Sequence, residues 1–294
     1  MDIIYDPTYQ MTLISGPATK ITGTKRISVV VNDPQKDLIH YETRFRRTKR
    51  RLLRKRYQSA DVVLAVSKGV RDKMIKYYGL ADSLVRTIYY PIDTERIDRL
   101  LKEPSELLSD SNSNFNVICS GRLHSQKGYV YLIEAAHQLI NIRKHDQLQF
   151  HILGQGPLRE ELSALIHQLG LEQSVHLKGF QMNPFSLIKQ AQLFCLPSLF
   201  EGLPNTLLEA MVCEVPVLAT DCPHGPREIL KQGEFGQLVP LKDPTALADA
   251  IEGTMLNYDK WQALVPAARK RVEETFSLKI GMQKHEELFL ELHG

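Results

Sequence analysis

Two carboxylates, Glu201 and Glu209, stand eight residues apart in the stretch Glu-Gly-Leu-Pro-Asn-Thr-Leu-Leu-Glu. An apolar run closing at Leu196-Pro197-Ser198 reads as a strand just before them, and Leu207 to Val212 reads as a helix just after. The first carboxylate then belongs to a loop above a sheet. The second lies one to two turns into the helix and faces the same crevice. A helix N-terminus presents unpaired N–H groups and partial positive charge, so the place between the two carboxylates suits a phosphate. Carboxylates beside it can accept hydrogen bonds from sugar hydroxyls. Phosphate together with sugar hydroxyls describes a nucleotide sugar.

Four further pieces carry chemistry of the same kind. Gly121-Arg122-Leu123 with Lys127-Gly128 puts a guanidinium fork and an ammonium point charge in one loop, where both can reach a diphosphate. Gly154-Gln155-Gly156-Pro157 lets backbone come close to a ligand, and Pro157 suits the first position of a helix. A plain tight turn explains that pattern as well. Gly179-Phe180 offers an aromatic ring either to a base or to the core. Pro223-His224-Gly225-Pro226-Arg227-Glu228 closes the series. The His, Asp and Glu residues show no metal-ligand spacing.

Together, over residues 55–294, these motifs resemble the family 4 retaining glycosyltransferases of the GT-B fold. The resemblance implies an α/β protein of two Rossmann-like domains. It implies that Arg122, Lys127 and Gly121 serve the donor phosphates, that Glu209 accepts from the ribose hydroxyls, and that Glu201 contacts the donor sugar beside Gly202. Backbone N–H groups of Asn205 and Thr206 would bind the distal phosphate. Gly154, Gly156 and Phe180 would flank the nucleotide, with His224 and Arg227 on the sugar side. Catalysis would then rest on Glu201, Arg122 and Lys127, with no cofactor and no metal.

Bulk composition agrees with a globular protein. With 43% hydrophobic and 24% charged residues, the chain has an ordinary soluble balance. No run approaches the ~18 apolar residues of a membrane span, and the first residues lack the pattern of a secretory signal. Cys119, Cys195, Cys213 and Cys222 form no C-x-x-C pair, which points to reduced thiols in a cytoplasmic setting.

The net charge of +3 hides a strong asymmetry: residues 44–56 hold nine basic residues and no acid, leaving the rest net acidic. Arg46, Arg47, Arg50, Arg51 and Arg54 are the candidates to meet an anionic membrane surface, at the inner face of the cell membrane. A solvated helix face is the plainer alternative. Nucleic acid is the reading set aside.

Alternating short apolar strands and amphipathic helices place these motifs. Strands are expected at 27–31, 61–66 and 86–89, with helices at 41–58 and 70–78, the latter capped by Ser67. Six further strands are expected near 115–120, 148–153, 175–178, 193–197, 215–219 and 236–239, each followed by a helix. Such a doubly wound sheet binds ligands beyond its strands' carboxyl ends, where every motif falls. The division expected is a partial N-terminal, acceptor-side domain over 1–95, a donor-binding domain over 96–275, and a helix over 276–294 crossing back. Ser109 to Asn114 reads as a solvated loop.

Nothing between Met1 and Lys25 reads as the strand–helix units of a full first domain, and Val31-Asn32-Asp33-Pro34 stands where the family commonly places a histidine. The nearest histidine is His40. The expected function is transfer of a hexosyl or N-acetylhexosaminyl group from a nucleotide diphosphate sugar, foremost a UDP-sugar, to a saccharide or lipid-linked saccharide in polysaccharide biosynthesis. The alternative is a nucleotide-sugar-binding subunit or inactive remnant, self-associating or completed by a partner.

Overall fold

The computed structural model describes residues 3–42, 44–104, 108 and 114–293. The expected loop at 109–113 lies outside them, as does the side chain of His40. Two parallel sheets carry the chain. The first contains β1 (Ile3–Asp6), β2 (Lys25–Val30), β3 (Val62–Ala65) and β4 (Val85–Thr87), in the order β1-β2-β3-β4. The second contains β5 (Phe115–Ser120), β6 (Leu148–Leu153), β7 (Val175–Gly179), β8 (Leu193–Leu196), β9 (Val217–Thr220) and β10 (Gln237–Val239). Its order is β10-β9-β8-β5-β6-β7. This is the GT-B arrangement of two Rossmann-like units, with four strands in the first and six in the second.

Helices cover both faces of such sheets, so inner strands bury every residue and read as unbroken apolar runs. Val62, Val63, Leu64 and Ala65 of β3 are all buried, as are Leu193 to Leu196 of β8. The helices begin where side chains can cap them. Ser67 accepts from the Val70 N–H, Asp93 from that of Arg96 and Asp243 from that of Ala246.

The segment before Lys25 corrects the sequence reading. It holds β1 and the helix Tyr9–Thr22, which begins on a Thr8 cap and carries Pro17 inside it. Hydrophobic periodicity missed this helix because its buried residues are Thr12, Ser15, Gly16 and Thr19. They pack on a polar cluster instead of a greasy one. Asp6, fully buried, accepts from Thr12 Oγ1 (2.7 Å), Ser15 Oγ (2.5 Å) and Ser28 Oγ (3.1 Å), and lies 3.4 Å from buried Arg26.

The helix expected over 41–58 spans only Arg46–Gln58, and a separate helix, Pro34–Tyr41, precedes it. Phe45 breaks them apart with a left-handed backbone, φ 58°. The chain passes between the sheets twice, side by side: the Ile92 N–H donates to the Phe276 carbonyl and the Leu278 N–H to that of Ile92, both at 2.8 Å. The helix Leu278–His293 then lies against the first sheet, where Tyr5 meets His285 and Phe289, and Arg86 pairs with Glu291 at 2.5 Å.

Removing one member of a buried ion pair leaves the other charge uncompensated and costs about 3–5 kcal/mol. Asp6→Ala should lower the unfolding free energy by that order in urea titration. A loss below about 1 kcal/mol would mean the cluster does not hold β1 and its helix in place.

Candidate functional site

Strand order reverses at β5, which has β6 on one side and β8 on the other. At such a switch point the loops after the two strands part and leave a crevice. The loop after β5 brings Gly121, Arg122 and Lys127; the loop after β8 brings Ser198 and Glu201.

Glu201 is the buried centre. Its side chain is only 7% exposed, and a buried carboxylate requires compensation. Its Oε1 accepts from Lys127 Nζ at 2.6 Å and from Ser198 Oγ at 2.7 Å, and Oε2 from Gln126 Nε2 at 3.4 Å. The structure therefore joins two residues to which the resemblance gave separate ligands. Lys127 and Glu201 form one ion pair, while Arg122 is exposed and has no ion pair among the described residues.

The glycines hold the loops close together. Gly154 has φ 131°, and a Cβ there would sit 1.9 Å from the Gly121 carbonyl oxygen. One turn thus rests directly on the other. Gly156 stands against the Leu123 backbone in the same way. Gly121, Arg122, Gly154, Gln155 and Phe180 line a hollow of about 330 Å³. Phe180 is 68% exposed there, which removes the core-aromatic reading.

Beyond Glu201 the helix Asn205–Val212 begins on Pro204 with no side-chain cap. Asn205 Oδ1 and Thr206 Oγ1 are buried at its start with no hydrogen-bond partner among the described residues. Polar atoms buried without partners are uncommon and costly. Here they border the Asn205 and Thr206 N–H groups, unbonded among the described residues, while the Leu207 N–H donates to the Pro204 carbonyl at 3.1 Å; Glu209 follows one turn on. Burial raises the Glu209 carboxyl, against the charges of Arg96 and Lys127, which lower it.

The loop after β9 reaches the first sheet. His224, in a left-handed backbone of φ 69°, places Nε2 3.1 Å from Asp33 Oδ2. Burial alone would raise the Asp33 carboxyl, but bonds from His224 and the Lys36 N–H, with the charges of His224 and Lys73, hold it below the ordinary value. Glu228 accepts from the N–H groups of Lys68 and Gly69 and, at 2.6 Å, from Tyr89 Oη. Arg227 is instead exposed and paired with Asp221. Gly202 completes the junction, since a Cβ on it would meet the Val31 carbonyl oxygen at 2.0 Å. Asp33, Ser198, Gln126 and Glu228 escaped the sequence reading as site residues. Glu228 lay within a quoted motif; Asp33 could have been noticed as the cap before Pro34.

The profile described as Glycosyl transferases group 1 matches residues 101–271, and that described as Glycosyltransferase Family 4 matches residues 2–96. The chain belongs to the glycosyl transferases group 1 family. It is 34% identical over 204 residues to the N-acetylgalactosamine-N,N'-diacetylbacillosaminyl-diphospho-undecaprenol 4-alpha-N-acetylgalactosaminyltransferase of Campylobacter jejuni, covering 69% of this chain and 53% of that one. It is 31% identical over 196 residues to the lipopolysaccharide 1,6-galactosyltransferase of Salmonella typhimurium, covering 65% and 51%. The chain spans about half the length of these curated relatives. In fold it resembles Anabaena HepE, solved in complex with UDP, with a TM-score of 0.84 at 24% identity over 98% of this chain and 78% of that one. Sucrose-phosphate synthase from Thermosynechococcus elongatus gives 0.81 at 19% identity, over 99% and 73%.

Beside Asp33 in this family member, Asp37 is pushed up to about 6, by burial first and by the Asp33 charge second, against a lowering bond from Asn32. Its folded-state value lies above the ordinary one of about 4, so the folded state binds this proton more tightly than the unfolded state. The resulting stability is full below about pH 4 and is lost as pH rises through about 6. Asp37→Asn should therefore gain stability relative to the parent across that window and hold the gain at higher pH. A difference independent of pH in urea unfolding would contradict this.

Proposed function

We propose that this chain binds a nucleotide diphosphate sugar, foremost a UDP-sugar, and transfers its hexosyl or N-acetylhexosaminyl group with retention to a saccharide or lipid-linked saccharide. The observation that carries this reading is the uncapped start of the helix Asn205–Val212, with its buried unpartnered oxygens, beside the Glu201–Lys127 pair. Unbonded N–H groups there favour a phosphate, and hydroxyl-bearing groups satisfy Asn205 Oδ1 and Thr206 Oγ1.

Breaking the anomeric C–O bond leaves negative charge on the departing phosphate oxygen and positive charge on the sugar ring. Donors fixed in advance at the phosphate lower that barrier most. Arg122 supplies an exposed guanidinium, the helix start supplies N–H groups, and Lys127 adds a nearby positive charge. Glu201, tied to Lys127, Ser198 and Gln126, is a poor nucleophile and a good hydroxyl acceptor; in this reading it holds the sugar and balances the ring charge. Glu209 takes the ribose hydroxyls, and Phe180 flanks the base in the hollow after β7. The relatives' names, which include a diphospho-undecaprenol-dependent transferase and a lipopolysaccharide galactosyltransferase, support an acceptor from surface-saccharide assembly. The basic helix Arg46–Gln58 supports work at an anionic membrane face.

Arg122→Ala is the informative change because no ion pair among the described residues is lost with it. A charged hydrogen bond is worth roughly 1.5–3 kcal/mol, so UDP affinity should fall by about tenfold or more in calorimetric titration. Acceptor-dependent release of UDP from a UDP-sugar should fall as well. Unchanged UDP affinity would remove Arg122 from the phosphate site, and absence of UDP binding by the parent would remove the nucleotide reading altogether.

A further inference from the structure

Beyond the carboxyl ends of β1 and β2 lies a cavity of about 260 Å³. The segment after β1 lines it with Tyr9 and Gln10, the segment after β2 with Val31 and Asn32, and the helix Pro34–Tyr41 with Asp37. Its volume falls below the ~300–1,000 Å³ of pockets that take drug-sized ligands, and so suits a single sugar ring. The cavity adjoins the crevice. A Cβ on Gly202, the neighbour of Glu201, would meet the Val31 carbonyl oxygen at 2.0 Å and the Asn32 Cα at 2.9 Å. One chain segment therefore separates the cavity from the loop that carries Glu201.

Tyr9 and Tyr78 lend aromatic rings to the wall, against which the C–H face of a sugar can lie. Gln10, Asn32 and Asp37 supply polar groups for hydroxyls, and no Lys, Arg or His is among the lining residues. Local folding does not explain Asp37. Asp33 already caps that helix, accepting from the N–H groups of Gln35 and Lys36. The half-buried Asp37 accepts on Oδ1 from Asn32 Nδ2 at 2.9 Å, and its carboxyl makes no other hydrogen bond and no ion pair among the described residues. Asn32 is held in turn, because its Oδ1 accepts from the Asp33 N–H at 2.9 Å. The neighbouring acids are matched: Asp33 with His224, Glu42 with Lys49 and Asp6 with Arg26. Asp37 has no such cation, and burial and the Asp33 charge both disfavour its ionised form. A carboxyl kept in that setting beside a cavity marks a ligand site.

We propose that this cavity takes the terminal sugar of the acceptor, with Asp37 as a specificity-determining residue that admits an uncharged sugar and refuses an acidic one. The proposal rests on the transferase reading above. An ionised Asp37 accepts from sugar hydroxyls, and such charge-assisted bonds are strong. A uronic acid would bring another carboxylate to a wall that holds no cation, and like charges set together discriminate against the wrong partner.

The probes are methyl galactoside and methyl glucoside, each compared with its uronate, which differs only in carrying a carboxylate at C6. Each is titrated against the chain by NMR, and UDP affinity is measured separately on the same samples. In at least one pair the neutral glycoside should bind roughly tenfold or more tightly than the uronate. Asp37→Asn should weaken that glycoside about tenfold, the loss of a charged hydrogen bond, and bring the two members of the pair to equal affinity. Gln10→Trp, at an exposed position on the cavity wall, should block the neutral glycoside. UDP affinity should stay unchanged in both variants, which also reports that they are folded. A parent that binds uronate as well as neutral glycoside, or binds neither, overturns the proposal, and so does discrimination that survives Asp37→Asn. Neutral binding unaffected by Gln10→Trp would place the sugar elsewhere and overturn it too. Glycoside binding with this pattern but without UDP binding would sink the nucleotide-sugar reading alone, so the two failures are distinguishable.

Discussion

The Lys127–Glu201 pair is the interaction around which the crevice is built. Glu201 lies almost out of water, where an ionised carboxylate is tolerated only with charge and hydrogen bonds around it. Lys127 and Ser198 supply them, one from the loop after β5 and one from the loop after β8. The pair thereby ties together the two loops that part beyond the neighbouring ends of β5 and β8. Everything nearby takes its place from that tie. The stem of Lys127 folds over Gly121, where a Cβ would come within 3.3 Å of Lys127 Cε. Gly121 in turn supports the Gly154 turn, and Pro204 starts the uncapped helix that completes the site.

A second constraint joins the sheets. His224, on the loop after β9, and Glu228, in the short helix Pro226–Ile229 that follows, reach Asp33 and the start of the helix Lys68–Tyr78. Glu228 sets a carboxylate of one unit against a helix start of the other, where anions are favoured. Asp33 caps its own helix and takes His224; Glu228 caps the neighbouring unit's helix and takes Tyr89. With Gly202 seated on the Val31 carbonyl, the loops after β8 and β9 of the second sheet are placed by the first. The short left-handed step at His224 costs backbone energy that these contacts offset.

Much of this was legible in the residues. The second sheet's strands follow apolar runs whose caps and turns are local, and the spacing of Glu201 and Glu209 needs only one strand–helix junction. The helix Tyr9–Thr22 was not legible, because its buried face is threonine, serine and glycine packed on Asp6, a partner outside the helix. Nor was the break at Phe45, where a phenylalanine takes a backbone that sequence propensity assigns to glycine. The pairing of Lys127 with Glu201 depends on distant loops meeting at the β5–β8 switch, and the partnership of His224 with Asp33 depends on the two sheets meeting. Local pattern gives elements; side chains that meet across them require the fold.

The central claim divides the two carboxylates: Glu209 serves the nucleotide and Glu201 the sugar. Calorimetric titration of Glu201→Gln and Glu209→Gln with UDP and with a UDP-sugar tests it most directly. The division predicts that Glu209→Gln weakens both ligands alike, while Glu201→Gln leaves UDP unchanged and weakens only the sugar-bearing donor. The reverse pattern, with Glu201→Gln weakening UDP and Glu209→Gln sparing it, would contradict the account.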